Sequence, residues 1–201
     1  MKQFSILRLV VVFLLALCSS ATFASDFVTV DGFKFLVDTD KDEATLLAND
    51  YSGEVVVPAS VTFEGKDYPV TSLGTECFDN VTKITIPNSV TALGDKCFYS
   101  SDVETIDIPN SVTSLGNSCF ENCSKLTTIK IPNSVISLGD QCFYKCYHLN
   151  EVVLPSSLTE IPAWCFSRCA VNKMKIPSSV KIINGYAFYQ SGVYEIEIPE
   201  G

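Results

Sequence analysis

The sequence is poor in the groups that carry chemistry. It holds one histidine, His148, and 14 basic side chains against 23 acidic ones. A lone histidine without a partner makes a poor catalytic base, and a loop position is expected for it. Gly-x-Ser-x-Gly, the setting of a serine nucleophile, is absent. No histidine pair accompanies the cysteines, so zinc lacks its usual mixed donor set. Asp38-Thr39-Asp40-Lys41-Asp42 starts like a calcium loop, but Glu43 stands where the loop needs glycine and Asn49 where it needs a bidentate glutamate. These absences point away from an enzyme, a metal site and a bound cofactor.

Long apolar runs are also missing beyond residues 9–17, which are too few to span a bilayer as a helix. That run follows Lys2 and Arg8 and ends in small residues closing on Thr22-Phe23-Ala24, so residues 1–24 read as an export signal cleaved after Ala24. Leu17 ahead of Cys18 disfavours a lipid anchor there. The expected location is outside the cell, secreted or at its surface, without membrane insertion of the mature chain. Removing Lys2 and Arg8 leaves 12 basic against 23 acidic groups, a net charge of −11. That sign disfavours nucleic acid and anionic lipid as partners.

What is present is repetition. Ile86-Pro87-Asn88-Ser89-Val90 recurs as Ile108-Pro109-Asn110-Ser111-Val112 and as Ile131-Pro132-Asn133-Ser134-Val135, with weaker copies at Pro155, Pro177 and Pro199. The prolines follow one another at 22 or 23 residues. Each unit has one grammar, shown by the third. Leu126, Ile129 and Ile131 form an L-x-x-I-x-I strand, which Pro132 stops because it cannot donate to a ladder. Asn133 and Ser134 supply turn chemistry. Val135 and Leu138 return inward, Gly139 permits a tight corner, and Cys142-Phe143 fills the far side. Stacked units align Phe78, Phe98, Phe120, Phe143, Phe166 and Phe188 into one aromatic spine, and only the stack buries it. The expected fold is a leucine-rich-repeat solenoid over residues 71–201: a parallel strand ladder joined by short turns and 3-10 segments.

Residues 25–70 depart from this grammar. Strands are expected at 33–37, 43–47 and 54–57, with a hairpin insertion over 63–68 around Gly65. This region reads as an N-terminal β cap over the open end of the first repeat.

The run I-P-N-S-V-x-x-L-G-x-x-C-F-x-x-C, preceded by L-x-x-I-x-I, resembles the BspA-like leucine-rich-repeat family. Asp31-Gly32-Phe33 and residues 61–70 look like that family's N-terminal cap. The resemblance implies a secreted or cell-surface protein of host-associated bacteria, or of some protozoa, acting in adhesion or recognition. It brings no catalytic residues. The chain departs from the pattern at Ile161-Pro162-Ala163-Trp164, where proline replaces the usual glycine, and it stops just after a strand with no closing cap. Ile183, Phe188, Ile196 and Ile198 of the last repeat would then have a neighbour on one side only, which invites self-association through that end.

Eight cysteines remain beyond the signal. Cys77, Cys97, Cys119, Cys142 and Cys165 share one repeat position, where Ala187 follows, while Cys123, Cys146 and Cys169 share another. A site that accepts Cys or Ala wants a small buried group. Stacking at about 4.8 Å holds neighbours farther apart than a disulfide prefers. Buried free thiols are expected, with a disulfide framework as the alternative in an exported chain. Asn80 and Asn122 head glycosylation sequons, which matter only in a eukaryotic host.

The surface columns hold the candidate binding residues. The strand face is polar and of mixed charge, without an aromatic anchor, and Glu195 and Glu197 lie on it as solvated groups. Just before the first cysteine column, Trp164 and Tyr186 are expected to stack in neighbouring repeats. Tyr144 and Tyr189 lie in the column after the spine. Aromatic residues outside the core are the usual anchors of interfaces; the competing role for Trp164 is packing over a gap left by Pro162. The expected function is non-catalytic protein interaction or adhesion with a protein or host-surface ligand. The alternative is a scaffold segment of a longer surface repeat protein.

Overall fold

The computed structural model describes residues 25–197. Residues 1–24, which read as an export signal, and Ile198 lie outside the described residues.

The chain begins with strands β1 (Ser25–Val30), β2 (Phe33–Asp38) and β3 (Glu43–Leu46), paired antiparallel in sequence order. β1 is a strand that the repeat grammar does not reveal. Asp31-Gly32, both at positive φ (50° and 83°), makes the tight β1–β2 turn. At the next tip, the Asp38 carboxylate accepts the amides of Asp40 and Lys41 and pairs with the Lys41 ammonium at 3.0 Å, which holds its pKa below the usual value. The run with a superficial likeness to a calcium loop is a closed hairpin tip. β4 (Ser52–Val56) follows, and β5 (Ser60–Phe63) and β6 (Lys66–Leu73) then form the expected hairpin around Glu64-Gly65.

β3 pairs with β6 in parallel, and from β6 onward the sheet is a parallel ladder through Ala92–Leu93, Ser114–Leu115 and Ser137–Leu138. A second side of the solenoid pairs β4 with Asn80–Thr85, Thr128–Lys130 with Glu151–Val153, and Lys173–Lys175 with Glu195–Glu197, again in parallel. Every described element is a strand or a turn.

Of the short turns and 3-10 segments expected between the strands, the third side holds consecutive turns. Lys96 and Ser100 have φ of 52° and 58°, which a helix cannot accommodate. Alternate amides point to the next repeat: Lys96, Phe98 and Ser100 donate to the carbonyls of Asn117, Cys119 and Glu121 at 2.8 Å each. The amides between them close turns within their own repeat. This third ladder leaves few buried backbone groups unpaired.

The spine forms as expected. Adjacent phenylalanine rings from Phe78 to Phe188 stand 5.1–5.7 Å apart, and the three inner pairs are within 3° of parallel. Tyr51 and Phe33 extend it at the N-terminal end. Each buried ring contributes roughly 1.5–3 kcal/mol by leaving water.

The glycines act differently from the expected tight corner. Gly74, Gly94, Gly116 and Gly139 are not at positive φ. A Cβ on them would meet the backbone of the preceding turn at 2.8, 2.8, 2.5 and 2.3 Å. Close approach of successive turns, not chain reversal, demands glycine there. Their amides donate to the carbonyls of Leu46, Leu73, Leu93 and Leu115 at 2.8–2.9 Å. Pro162 holds the same place with no amide to give and a ring to accommodate. The sheet accordingly ends at Ser137–Leu138, and Glu160–Ile161 pairs only with Ile182–Ile183 as a separate ladder. On the turn side the stack runs on unbroken: Gln141 and Phe143 donate to Ala163 and Cys165, and the Phe143 and Phe166 rings stay 5.3 Å apart.

Candidate functional site

The four candidate residues converge on the turn side, across the break at Pro162. Trp164 stacks on Tyr186 with centroids 4.5 Å apart and planes 17° from parallel. Tyr189 stands edge-on to both rings at 5.7 Å, and Tyr144 edge-on to Trp164 at 6.1 Å. Trp164 and Tyr144 are half-buried, while Tyr186 and Tyr189 are 62% and 44% exposed.

Backbone conformation explains why these rings lie outside. Glu76, Lys96, Ser118, Gln141, Trp164 and Tyr186 occupy one column, all at φ between 52° and 61°. The left-handed backbone at this column lets the next two residues, cysteine and phenylalanine, face the core. A non-glycine residue there costs on the order of 1–2 kcal/mol, and bulky side chains suit it least. The strain belongs to the repeat. The choice of two aromatics for it belongs to this chain.

Around the rings the electrostatics differ from the rest of the molecule. Residues 141–148, 163–170 and 185–192 contain no Asp or Glu, in a chain with 23 of them. They carry Lys145 and Arg168. The Lys145 ammonium lies 4.9 Å from the centre of the Tyr144 ring, and the Arg168 Nε donates to Gln190 Oε1 at 3.0 Å. Neither cation forms an ion pair among the described residues, whereas seven lysines do so elsewhere. Arg168 and Gln190 border an open depression with Tyr147, which is 47% exposed. Tyr99, the N-terminal counterpart of Tyr144, sits instead among Glu76, Asp79 and Lys96, with Lys96 paired to Glu76 at 3.1 Å. Lys145, Arg168 and Tyr147 escape a search for aromatic columns. A tally of carboxylates along each column would have found them.

The strand side offers less. Lys173 and Lys175 pair with Glu195 and Glu197 at 2.6 and 3.2 Å, so the two glutamates expected to be merely solvated are matched by cations, in exposed pairs that add little stability. Val153, 45% exposed, lines a groove of about 540 Å³ with Lys175 and Pro177.

The eight described cysteines are free and buried. Burial raises the thiol pKa of Cys97, Cys119, Cys142, Cys146 and Cys165, and pushes Cys123 up to about 12. The Cys123, Cys146 and Cys169 thiols donate to the carbonyls of Phe98, Phe120 and Phe143 at 2.9–3.0 Å, one turn back. Neutral, inaccessible sulfur is core material rather than a nucleophile. His148 is exposed, with Nδ1 2.5 Å from the Ser124 carbonyl oxygen. Among the described residues no three His, Cys, Asp or Glu side chains are grouped to hold a metal ion, and no helix is long and apolar enough to cross a membrane.

The repeat geometry is matched by known proteins. The model for the BspA type leucine rich repeat region fits six copies, over residues 60–170 and 117–201. The chain belongs to the BspA-type leucine-rich-repeat family. A leucine-rich cell surface protein of Faecalibacterium prausnitzii is similar at 26% identity and a TM-score of 0.65, over 88% of this chain and 56% of that one. A leucine-rich repeat protein of Bacteroides ovatus is similar at 25% identity and a TM-score of 0.56, over 90% and 54%. The pneumococcal vaccine antigen PcpA shares the fold at 20% identity and a TM-score of 0.78, over 90% and 51%. The BspA-type chain thus spans about half the length of these three solved proteins. No curated protein matches it.

Proposed function

We propose that this BspA-type chain is an exported, non-catalytic recognition module that attaches to a surface partner through the turn-side face bearing Tyr144, Trp164, Tyr186 and Tyr189. One observation carries the reading: four aromatic rings cluster on the outside, two of them at left-handed positions that disfavour them. Aromatic rings hold large contact areas at low entropic cost, which is why interfaces use them. The similar Faecalibacterium protein is a cell surface protein, which supports work outside the cell. Residues 25–70, from β1 into β6, serve as the cap of the stack. The test is attachment of beads coated with the purified chain to cultured epithelial cells. Saturable attachment that Trp164→Ala reduces supports the proposal; no attachment, or attachment indifferent to Trp164, removes it.

A second reading, a structural segment of a longer repeat array, draws on the last described turn. Ile183 and Ile196 are 45% and 38% exposed there, and Phe188 is half-buried, unlike their counterparts in earlier turns. A following turn or a second copy of the chain would bury them. Light scattering on the purified chain separates the two, since cover by a second copy predicts concentration-dependent dimers.

A further inference from the structure

Resting on that recognition module, we infer that the ligand seen by the turn-side face is a carboxylated glycan of the partner surface. Its sugar rings lie on the exposed faces of Tyr186 and Tyr189, and its carboxylates meet Arg168 and Lys145.

Three observations select this chemistry. First, charge: residues 141–148, 163–170 and 185–192 contribute no carboxylate and carry two cations with no ion-pair partner among the described residues, while Asp140 at their margin accepts the Ala163 amide at 3.1 Å. An anionic ligand thus meets attraction at Arg168 and Lys145 and repulsion over most of the molecule. Arg168 retains its two terminal nitrogens for the fork-shaped pairing that a carboxylate accepts. Second, the backbone is already in use. Trp164 and Phe166 donate to Gly185 and Ala187, and Lys145 and Arg168 to Ser167 and Tyr189. Between the stacked turns a peptide therefore finds no row of open amides on which to add a strand, the common way extended peptides dock on β structures. Among the described residues only the last turn, at Tyr186, Phe188 and Gln190, has amides without that forward donation. Third, shape: the rings present flat faces and edges beside an open depression lined by Tyr147, Arg168 and Gln190, with no deep apolar socket for a side-chain anchor. Flat ring faces beside planar hydrogen-bonding groups match the alternating apolar faces and hydroxyl edges of a sugar ring.

Trp164 is the only tryptophan, so its fluorescence reports on this face alone. Titration of the purified chain with sialyllactose, oligogalacturonate, neutral lactose and a glutamate–tyrosine copolymer tests the inference. At least one carboxylated saccharide is expected to shift the emission saturably, and to bind about tenfold or more tighter than lactose; the two arms tell a sialic from a uronic acid source. Arg168→Gln with Lys145→Gln should abolish that preference without moving the thermal melt, and Tyr186→Ala should abolish binding. Equal affinity for lactose, tighter binding of the copolymer, or no response to any probe overturns the glycan. If cell attachment still depends on Trp164 in any of those cases, the recognition module stands and only its ligand class is wrong.

Discussion

Trp164 and Tyr186, one turn apart on the surface, pack with their ring centroids 4.5 Å apart, closer than any pair of the buried phenylalanine spine, where neighbours stand 5.1–5.7 Å apart. The spine spacing follows from the ladder, because each ring sits directly above its equivalent. The surface pair stands closer at 17° from parallel, with Tyr189 edge-on against both. Such a cluster holds its own shape before a partner arrives, which lowers the ordering cost of binding.

The spine carries the stability. Phe120 is fully buried between Phe98 and Phe143. Phe120→Ala is expected to cost roughly 3–5 kcal/mol. The loss should reach both flanking turns, because a solenoid is coupled through neighbours. Urea unfolding gives the magnitude and hydrogen exchange the spread; an unchanged midpoint would mean that the inward face is misassigned.

The thiol columns predict an alkaline limit. Burial raises the folded pKa of six cysteines above their ordinary value of 9.0. Unfolded thiols therefore lose protons first. The stabilisation is complete below about pH 8.5 and is lost as pH rises above it, by roughly 1.4 kcal/mol per pH unit for each such thiol. Thermal melts should be insensitive to these groups from pH 6 to 8 and fall steeply above 9. A thiol reagent should react little with native protein and find all eight described cysteines after denaturation without reductant. A melt unchanged up to pH 11, with no thiols released on denaturation, would point to disulfides.

Pro162 is expected to be the cause of the sheet break. Pro162→Gly restores an amide facing the Leu138 carbonyl, as at the other glycines of the column. The new hydrogen bond, about 0.5–1.5 kcal/mol, is offset by the greater freedom of glycine in the unfolded chain. The melt should barely move, whereas the amide at position 162 should exchange slowly with solvent. Rapid exchange there would place the cause of the break elsewhere.

Much of this was legible in the residues. The 22–23-residue spacing set the solenoid, and the phenylalanine and cysteine columns faced inward as their small or aromatic character required. The stacking of Trp164 on Tyr186, with Tyr189 nearby, followed from register; the approach of Tyr144 to Trp164 did not. Other features depended on distances that sequence does not carry. Gly139 looks like a corner residue until the backbone of Asn117 is seen 2.3 Å from where its Cβ would be. That the turns at residues 96–101 form a ladder shows only when their alternate amides are found bonding to the next repeat. β1 has no counterpart in the repeat, so periodicity was blind to it. Lys145 and Arg168 matter through the carboxylates missing around them, and a search for what is present passes over such a signal.

The central claim is that the turn side, and not the strand side, meets the partner. It is tested most directly by the apparent Kd of the purified chain for cultured epithelial cells, measured for Trp164→Ala against Val153→Ser, with thermal melts of both. Loss of Trp164 is expected to weaken attachment by at least about 2 kcal/mol, roughly thirtyfold, at a nearly unchanged melting temperature, while Val153→Ser stays within about threefold of the parent. Weakening confined to Val153→Ser, or a Trp164→Ala loss of affinity no greater than its loss of stability, would contradict the account.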